Sequence, residues 1–417
     1  MRVLGVIAEY NPFHNGHKFQ LSECMKASDA DYTVVVLGGD FTQRGTPALL
    51  NKYTRTAMAL SGGADLVVEL PQFASCASAS YFAASGVSIL KHLGIVTHLG
   101  FGSESGDIRS LMRTSEILTD ETPELSDHIQ RLLKTGYSYA AARDIALSAL
   151  FEKTVNSPND ILAVEYIRAI NNQRCHLIPV TVKRTGMAYH GSNLKNIESG
   201  LLPSATAIRN EILKHAENEL YDPQKLALSL RDAMPASAVD LMIRHLNNCM
   251  PVLAKDFYPL LRYSLLTCDK LSYIFDISED FANRLLTYKS CYGNLDSWIS
   301  DIKSKNYTWT KVSRSLTHIM LRQTKDDACL MAEMDNAPYI RILGFKKSSG
   351  PLLKAIKNNC DIPVLTKMAD AEKILNHKAY KLFQKGVLAA RIYKSVEQTK
   401  AKHTIRDEYC ESPVIFD

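Results

Sequence analysis

Two histidines, His14 and His17, flank Asn15 and Gly16 in the run Glu9-Tyr-Asn-Pro-Phe-His14-Asn-Gly-His17. The apolar stretch before it stops at a proline turn, and a helix can open at the glycine. A helix N-terminus presents free N–H groups and partial positive charge, which suits a phosphate. Gly16 has no side chain, so a phosphate can approach the backbone there. Residues three apart on a helix share a face, so both imidazoles can address one bound group. Donating hydrogen bonds to an α-phosphate, they would stabilise the charge that builds during attack and pyrophosphate departure. With 12 His and 20 Gly in 417 residues, chance supplies roughly 0.02 such His-x-Gly-His patterns on composition.

These residues need a rigid frame. Arg2 to Ala8 is a β-rich apolar run and reads as a buried strand; a helix follows from Gly16 through Phe19, Leu21 and Met25. Tyr32–Leu37 reads as a second strand closed by Gly38 and Gly39, then a helix over Lys52–Ser61 and a strand over Asp65–Leu70. A helix over Ser78–Leu93 leads to a strand over Val96–Phe101. This alternation predicts a Rossmann-like α/β fold, a parallel sheet with helices on both faces, and puts the histidine loop at the carboxyl end of the first strand, where such folds bind ligands. Residues 105–170 read as largely helical, and Leu177–Val182 as a returning strand. Beyond Arg209 the pattern stays helical to about Asp335; a small α/β unit then follows, with strands at Tyr339–Leu343 and Ile362–Leu365 and a helix at Leu352–Asn358. The expected organisation is a nucleotide-binding domain over 1–210, a helical domain over 211–335 and a basic C-terminal α/β domain over 336–417, a length that exceeds one core.

Composition excludes several classes. No apolar stretch is long enough to span a bilayer, and Glu9, Asn11 and Pro12 end the first apolar run too early for the core of a signal peptide. A cytoplasmic protein with no membrane partner is expected. The nine cysteines are scattered with no CxxC pair, and Cys175-His176 has no further ligand nearby, so no metal site is expected. Charge is distributed unevenly. Residues 341–417 carry 15 Lys+Arg against 8 Asp+Glu, whereas the preceding residues carry 34 against 36. A basic tail suits a polyanion such as RNA, and equally a solvated helical surface.

The His-x-Gly-His loop resembles the signature of adenylyl-transferring nucleotidyltransferases, which share a Rossmann-like fold and form no covalent enzyme intermediate. Many carry a second signature at a later helix start, and Pro203-Ser204-Ala205-Thr206-Ala-Ile-Arg209 is similar to it. The resemblance implies that Ser204 and Thr206 lie at the ATP site, Ser204 capping the helix, with Arg209 reaching the β- and γ-phosphates. Ala205 stands where relatives carry a second hydroxyl.

Six motifs occur in order, the first of them the histidine run itself. They are Glu9–His17, Gly39-Asp-Phe-Thr-Gln-Arg-Gly45 with Pro47-Ala48, Gly63–Pro71, Phe101-Gly-Ser-Glu104, Asn156–Leu162, and Arg184–His190. Together they resemble the bacterial tRNA(Met) cytidine acetate ligase family over essentially the whole chain. That family is an ATP-dependent ligase that makes acetyl-adenylate from acetate and acetylates the wobble cytidine of elongator tRNA(Met) to N4-acetylcytidine. The resemblance implies ATP contacts from Ile7, Ala8, Glu9, Tyr10, Asn11, Pro12, Phe13, His14, Asn15, Gly16, His17, Lys18, Phe19 and Gln20, and from Gly102, Asn159, Arg184 and Thr185. The Asn159 amide could read adenine, and Arg184 offers a planar fork to phosphate or base. Asp40, Gln43 and Arg44 are candidates for acetate or Mg²⁺, Arg44 as the carboxylate partner; His14, His17, Asp40, Arg44 and Arg209 form the expected catalytic set. Asp160 and Ala163 depart from the Asn and Gly of the family pattern.

Two basic segments are candidates for RNA. One is Lys303, Lys305, Lys311, Arg314 and Arg322 around Tyr307 and Trp309; the other is Lys346, Lys347, Lys378, Lys381, Arg391 and Lys394. Tyr307 and Trp309 serve either as stacking platforms or as core anchors, Trp309 more naturally the latter. Two other functions fit the first motif alone: adenylyl transfer to a phosphorylated metabolite, and a non-enzymatic RNA factor that holds ATP as a structural ligand.

Overall fold

The computed structural model describes residues 1–150, 157–184, 204–216, 222–290 and 293–417. Among them, eight strands form one sheet in the order β5-β4-β1-β2-β3-β6-β7, with β8 beside β6. The strands are β1 Val3–Ala8, β2 Tyr32–Gly38, β3 Leu66–Leu70, β4 His98–Ser103, β5 Ile178–Lys183, β6 Ile340–Lys346, β7 Val364–Leu365 and β8 Val414–Phe416. All pairings are parallel except β3 with β6. The carboxyl ends of β1, β2, β4 and β5 therefore share one edge, and the loops that leave them can converge.

Successive side chains on a strand point to opposite faces, and β2 divides its valines accordingly. Val34 and Val36 pack with Val68, with Phe82 and Val87 of α3 (Ala79–His92), and with Val164 and Ile167 of α5 (Pro158–Asn172). Val35 and Leu37 face Leu21 and Cys24 of α1 (Asn15–Ser28), Met58 and Leu60 of α2 (Lys52–Ser61), and Met242 and Leu246 of α7 (Ala236–Asn248). In chain order α4 (Ile108–Thr119) precedes α5, and α6 (Ala205–Ala216) precedes α7. The returning strand Ile178–Lys183 joins the same sheet, as the sequence predicts, with the boundary displaced by one residue.

The helical region builds a third core around Phe281, Trp298 and Val312, the last on α8 (Trp309–Met320). That core also takes in Phe41 from the loop after β2 and Tyr393 from α9 (His377–Gln398), whose hydroxyl donates to Ala48 O at 2.9 Å. The C-terminal unit differs from its expected separateness. Its strand β6 adds to the open edge of β3, covering backbone groups that would otherwise template unwanted pairing. The main sheet thus continues past residue 336. Among the described residues, no helix is long and apolar enough to cross a membrane.

Candidate active site

The four loops at that sheet edge, together with α6, enclose a cleft of about 600 Å³. Helix α1 begins at His14, whose extended backbone (φ −141°) makes it the N-cap. His14 Nδ1 accepts the Gly16 N–H at 3.1 Å, and His17 Nδ1 accepts the His14 N–H at 3.3 Å. The two imidazoles thus close a reciprocal cap of the kind Ser and Glu usually make. The rings stack at 3.6 Å between centroids with planes 25° apart. A Cβ on Gly16 would stand 2.9 Å from His14 Cε1, so the glycine makes room for the ring as well as for a ligand.

This cap decides the chemistry of both rings. With each Nδ1 accepting, a neutral ring carries its proton on Nε2 and can donate only from there. Burial lowers the His14 pKa to about 3, helped by Arg184 and Arg209; burial, then His14 and Arg184, hold His17 well below its ordinary value. Near neutral pH the pair is uncharged, and each ring keeps an Nε2–H donor.

Two guanidinium groups complete a positive lining. Arg209 donates to Asn11 O at 2.9 Å and Thr206 Oγ1 at 3.0 Å, and Arg184 donates to Asn159 Oδ1 at 3.1 Å. Burial lowers the pKa of both, and no carboxylate lies within ion-pair distance of either among the described residues. Ser204 Oγ caps α6 by accepting the Ala207 N–H at 3.2 Å. Ser204, Thr206, Arg44, Gln43, Gly102, Asn159 and Arg184 all line the cleft.

From Ile7 to Gln20, the wall is built by Ile7, Ala8, Glu9, Tyr10, Asn11, His14, Gly16, His17, Phe19 and Gln20. Pro12, Phe13, Asn15 and Lys18 do not line it. Phe13 is buried in the core, and Asn15 Nδ2 instead donates to Asp232 O at 3.0 Å. Thr185 and the rest of the Arg184–His190 motif lie outside the described residues, as do Asn156 and Pro203.

Several expectations need correction. Asp40 does not reach the cleft. It is buried beneath the loop, where Oδ1 accepts the Lys52 N–H at 2.9 Å and Oδ2 lies 3.7 Å from Lys52 Nζ, so it serves the start of α2. Asn159 is committed at both ends, since its Nδ2 donates to Glu104 Oε1 at 2.6 Å while its Oδ1 accepts from Arg184. Glu104 is therefore the organiser of this wall, also accepting from Ser157 Oγ and Asp160 N. Its position at the end of the Phe101–Glu104 motif was the available signal. Asp160 accepts from Ser105 and Ser157, and Ala163 is core, so both departures from the family pattern support the fold of this wall.

Arg55 had no sequence signal. Fully buried, it donates to the carbonyls of Glu9, Gly38, Gly39 and Leu50, tying together the loops after β1 and β2. Glu9 Oε1 adds a bond from Gln43 N at 2.6 Å, and Asn11 Oδ1 one from Leu49 N at 2.9 Å. The second loop is also clasped from the helical region. Gly45, at φ +72°, accepts from Ser313 Oγ and Thr317 Oγ1 of α8, and a Cβ there would stand 2.2 Å from Arg314 N.

The basic segments divide. Lys303, Lys305, Arg322 and Lys381 are exposed and form no ion pair among the described residues. Lys311 and Arg314 are instead held by Asp276, at 2.6 and 3.8 Å, and Lys394 is buried against Glu408 and Glu411. Lys346 pairs with Asp65, Lys347 with Asp417, Lys378 with Glu333, and Arg391 with Asp407. Trp309 is 39% exposed and so is not the core anchor; Trp298 is, while Tyr307 stacks on Phe281 at 4.2 Å.

The sheet is Rossmann-like with a histidine-capped helix start at its carboxyl edge, and residues 1–408 match the HIGH Nucleotidyl Transferase family, which makes the chain a member of the nucleotidyltransferases. The tRNA(Met) cytidine acetate ligase of Acetivibrio thermocellus is 35% identical, and that of Clostridium perfringens 34%, each alignment covering 100% of both chains. A crystal structure of Thermotoga maritima TmcAL bound with alpha-thio ATP superposes with a TM-score of 0.87 at 28% identity, over 100% of both chains. The chain belongs to the tRNA(Met) cytidine acetate ligase family.

Proposed function

We propose that this protein is an ATP-dependent ligase that activates acetate as acetyl-adenylate and transfers the acetyl group to the wobble cytidine of elongator tRNA(Met), giving N4-acetylcytidine. The observation that carries the reading is the neutral His14–His17 stack, its Nε2–H donors available beside Arg184 and Arg209. The full-length likeness to named ligases supports the choice of substrates.

ATP binds in the strand-edge cleft, with its phosphates toward α1 and Arg209. An acetate oxygen, its carboxylate held by Arg44, attacks the α-phosphorus, and the bond to the bridging oxygen of pyrophosphate breaks. His14 and His17 donate from Nε2 to the oxygens on which charge accumulates, an arrangement already organised before the reaction. The cytidine amine then attacks the acetyl carbonyl, and AMP leaves carrying the bridging oxygen. Neither step requires a protein nucleophile; positioning and charge stabilisation suffice. The target base must be splayed out of its loop to reach the adenylate, and of the basic candidates Lys303, Lys305, Arg322 and Lys381 are exposed with no ion pair among the described residues and so can hold the surrounding RNA.

Mg²⁺ suits the donor set, because it is usually held by one or two carboxylates together with phosphate oxygens. Glu9 lines the cleft and is the carboxylate that would hold it; Asp40 is committed to Lys52. When bound, the ion would neutralise phosphate charge. Such an enzyme works in the cytoplasm, where its tRNA is found.

The test is incubation with ATP, labelled acetate and bulk tRNA. Label is expected in tRNA(Met) and is expected to vanish with His17→Ala. Unlabelled tRNA alongside ATP turnover that ignores acetate would overturn the reading.

A further inference from the structure

Away from the cleft, the C-terminal end of α7 meets the last turn of α9. His245 lies in the last turn of α7, Cys249 is the extended residue that caps it, and Glu397 projects from α9. One possible ligand atom from each of the three lies within 4.8 Å of the others. His245 Nε2 stands 3.9 Å from Glu397 Oε1.

The far side of two of the donors is already oriented. Thr54 Oγ1 lies 3.1 Å from His245 Nδ1, which leaves Nε2 for the shared centre, and Asn51 Nδ2 donates to Glu397 Oε1 at 2.8 Å. Outer partners of this sort fix the tautomer and aim of metal ligands. Glu397 is almost wholly buried, and its Oε2 has no hydrogen-bond partner. That oxygen is unsatisfied in either state: ionised, it lacks a cation, and protonated, it lacks an acceptor.

We propose that His245, Cys249 and Glu397 bind one divalent ion of the zinc class, a clip between the helical region and the C-terminal helix. Imidazole, thiolate and carboxylate are a borderline-soft set that Zn²⁺ accepts, and a water molecule completes the tetrahedron. With Zn–N about 2.0 Å and Zn–S about 2.3 Å, the ligand atoms must close by about an ångström of side-chain movement. The Cys249 thiol now donates to the carbonyls of Met250 and Glu397 at 3.4 and 3.5 Å. On binding, its proton leaves to solvent, a carboxyl proton on Glu397 does the same, and the metal takes the lone pairs released. The occupied clip satisfies Oε2 and joins α7 to α9, with α2 behind it through Thr54 and Asn51.

The whole chain, purified without chelators and dialysed, is expected to retain about one zinc per molecule, lost in Cys249→Ser and in His245→Gln while circular dichroism stays native. Replacement by Co²⁺ is expected to give a thiolate-to-cobalt charge-transfer band that zinc displaces and Cys249→Ser abolishes. Wild-type zinc content no higher than that of Cys249→Ser would overturn the proposal. So would a cobalt complex with no thiolate band. Should the variants not fold, the cobalt titration of the wild-type chain decides alone.

Discussion

Two buried groups of charge in this molecule are built from the same residue types and do opposite things. Beneath α2, Lys52 pairs with Glu69 and Glu408, each at 2.7 Å; Arg341 meets the same two at 2.7 and 2.8 Å; Lys394 joins Glu408 at 3.1 Å and Glu411 at 2.7 Å. Burial alone would raise the acids, but Lys52 and Arg341 hold both Glu69 and Glu408 below their ordinary values. In the cleft, Arg184 and Arg209 hydrogen-bond to neutral oxygens, with Glu104 and Glu9 nearby but beyond ion-pair distance, and burial lowers both. A balanced set has nothing left to attract and acts as scaffold. An unbalanced one retains its field for an anion.

Breaking the balanced set gives the largest expected effect. Glu408→Gln leaves Lys52, Arg341 and Lys394 one anion short and is expected to lower unfolding stability by about 3–5 kcal/mol, read from denaturant titration. ATP affinity of the molecules that remain folded should not change. A variant of normal stability with weakened ATP binding would dissolve the contrast between the two groups.

The cleft should answer the other way. His17→Ala is expected to slow acetyl transfer about 10²–10³-fold, the usual loss for one preorganised donor, with a smaller loss of stability than Glu408→Gln, from the missing cap bond to the His14 N–H. His14→Asn tests the double role of its ring: an amide oxygen can still cap α1, so stability should hold while transfer falls. Equal activity in both variants and wild type would remove the histidines from the mechanism.

The same pair had the clearest signature in the sequence, and the reason is local. Strand, turn, cap and glycine lie within a few residues, so spacing alone carries their geometry. Arg209 and Ser204 follow the same logic at the start of α6. What could not be read depends on residues far apart in the chain. Asp40 looked like a loop ligand until α2 folded back to place Lys52 over it. Arg55 satisfies four carbonyls from three different segments, and no pattern along the chain marks it. The partners of the basic tail are hidden in a similar way. Its surplus is counted along the sequence, whereas Glu69, Asp65 and Glu333 come from elsewhere to neutralise Arg341, Lys346 and Lys378. The addition of β6 to β3 was hidden for the same reason, since an open strand edge is a property of the folded sheet.

Acid distinguishes the two groups in a smaller way. In the native chain His14 titrates at about 3 against 6.5 for an ordinary histidine. Between those values the unfolded chain binds more protons at this position, so its contribution to stability is full above about 6.5 and is lost as pH falls toward 3. Ring resonances in the ligand-free protein should show His14 still neutral at pH 5, where an exposed histidine is protonated. A titration midpoint near 6.5 would mean that the ring is hydrated and its Nε2–H is not preorganised.

The smallest effects concern RNA, and they carry the contrast to the surface. Lys303 and Lys305 are exposed and unpaired among the described residues, whereas Lys311, a few residues on, is pinned by Asp276. A lysine that neutralises a phosphate releases a counterion, and its loss reduces the slope of log affinity against log salt by about 1. Lys303→Ala and Lys305→Ala are therefore each expected to weaken tRNA binding a few-fold and to flatten that slope, with stability unchanged. Lys311→Ala should leave the slope as it is and instead destabilise the start of α8, because the charge it removes is already spent on Asp276. If Lys311→Ala flattened the slope as much as Lys303→Ala, Asp276 would have to release it on binding, and the balanced pairs could no longer be read as scaffold alone.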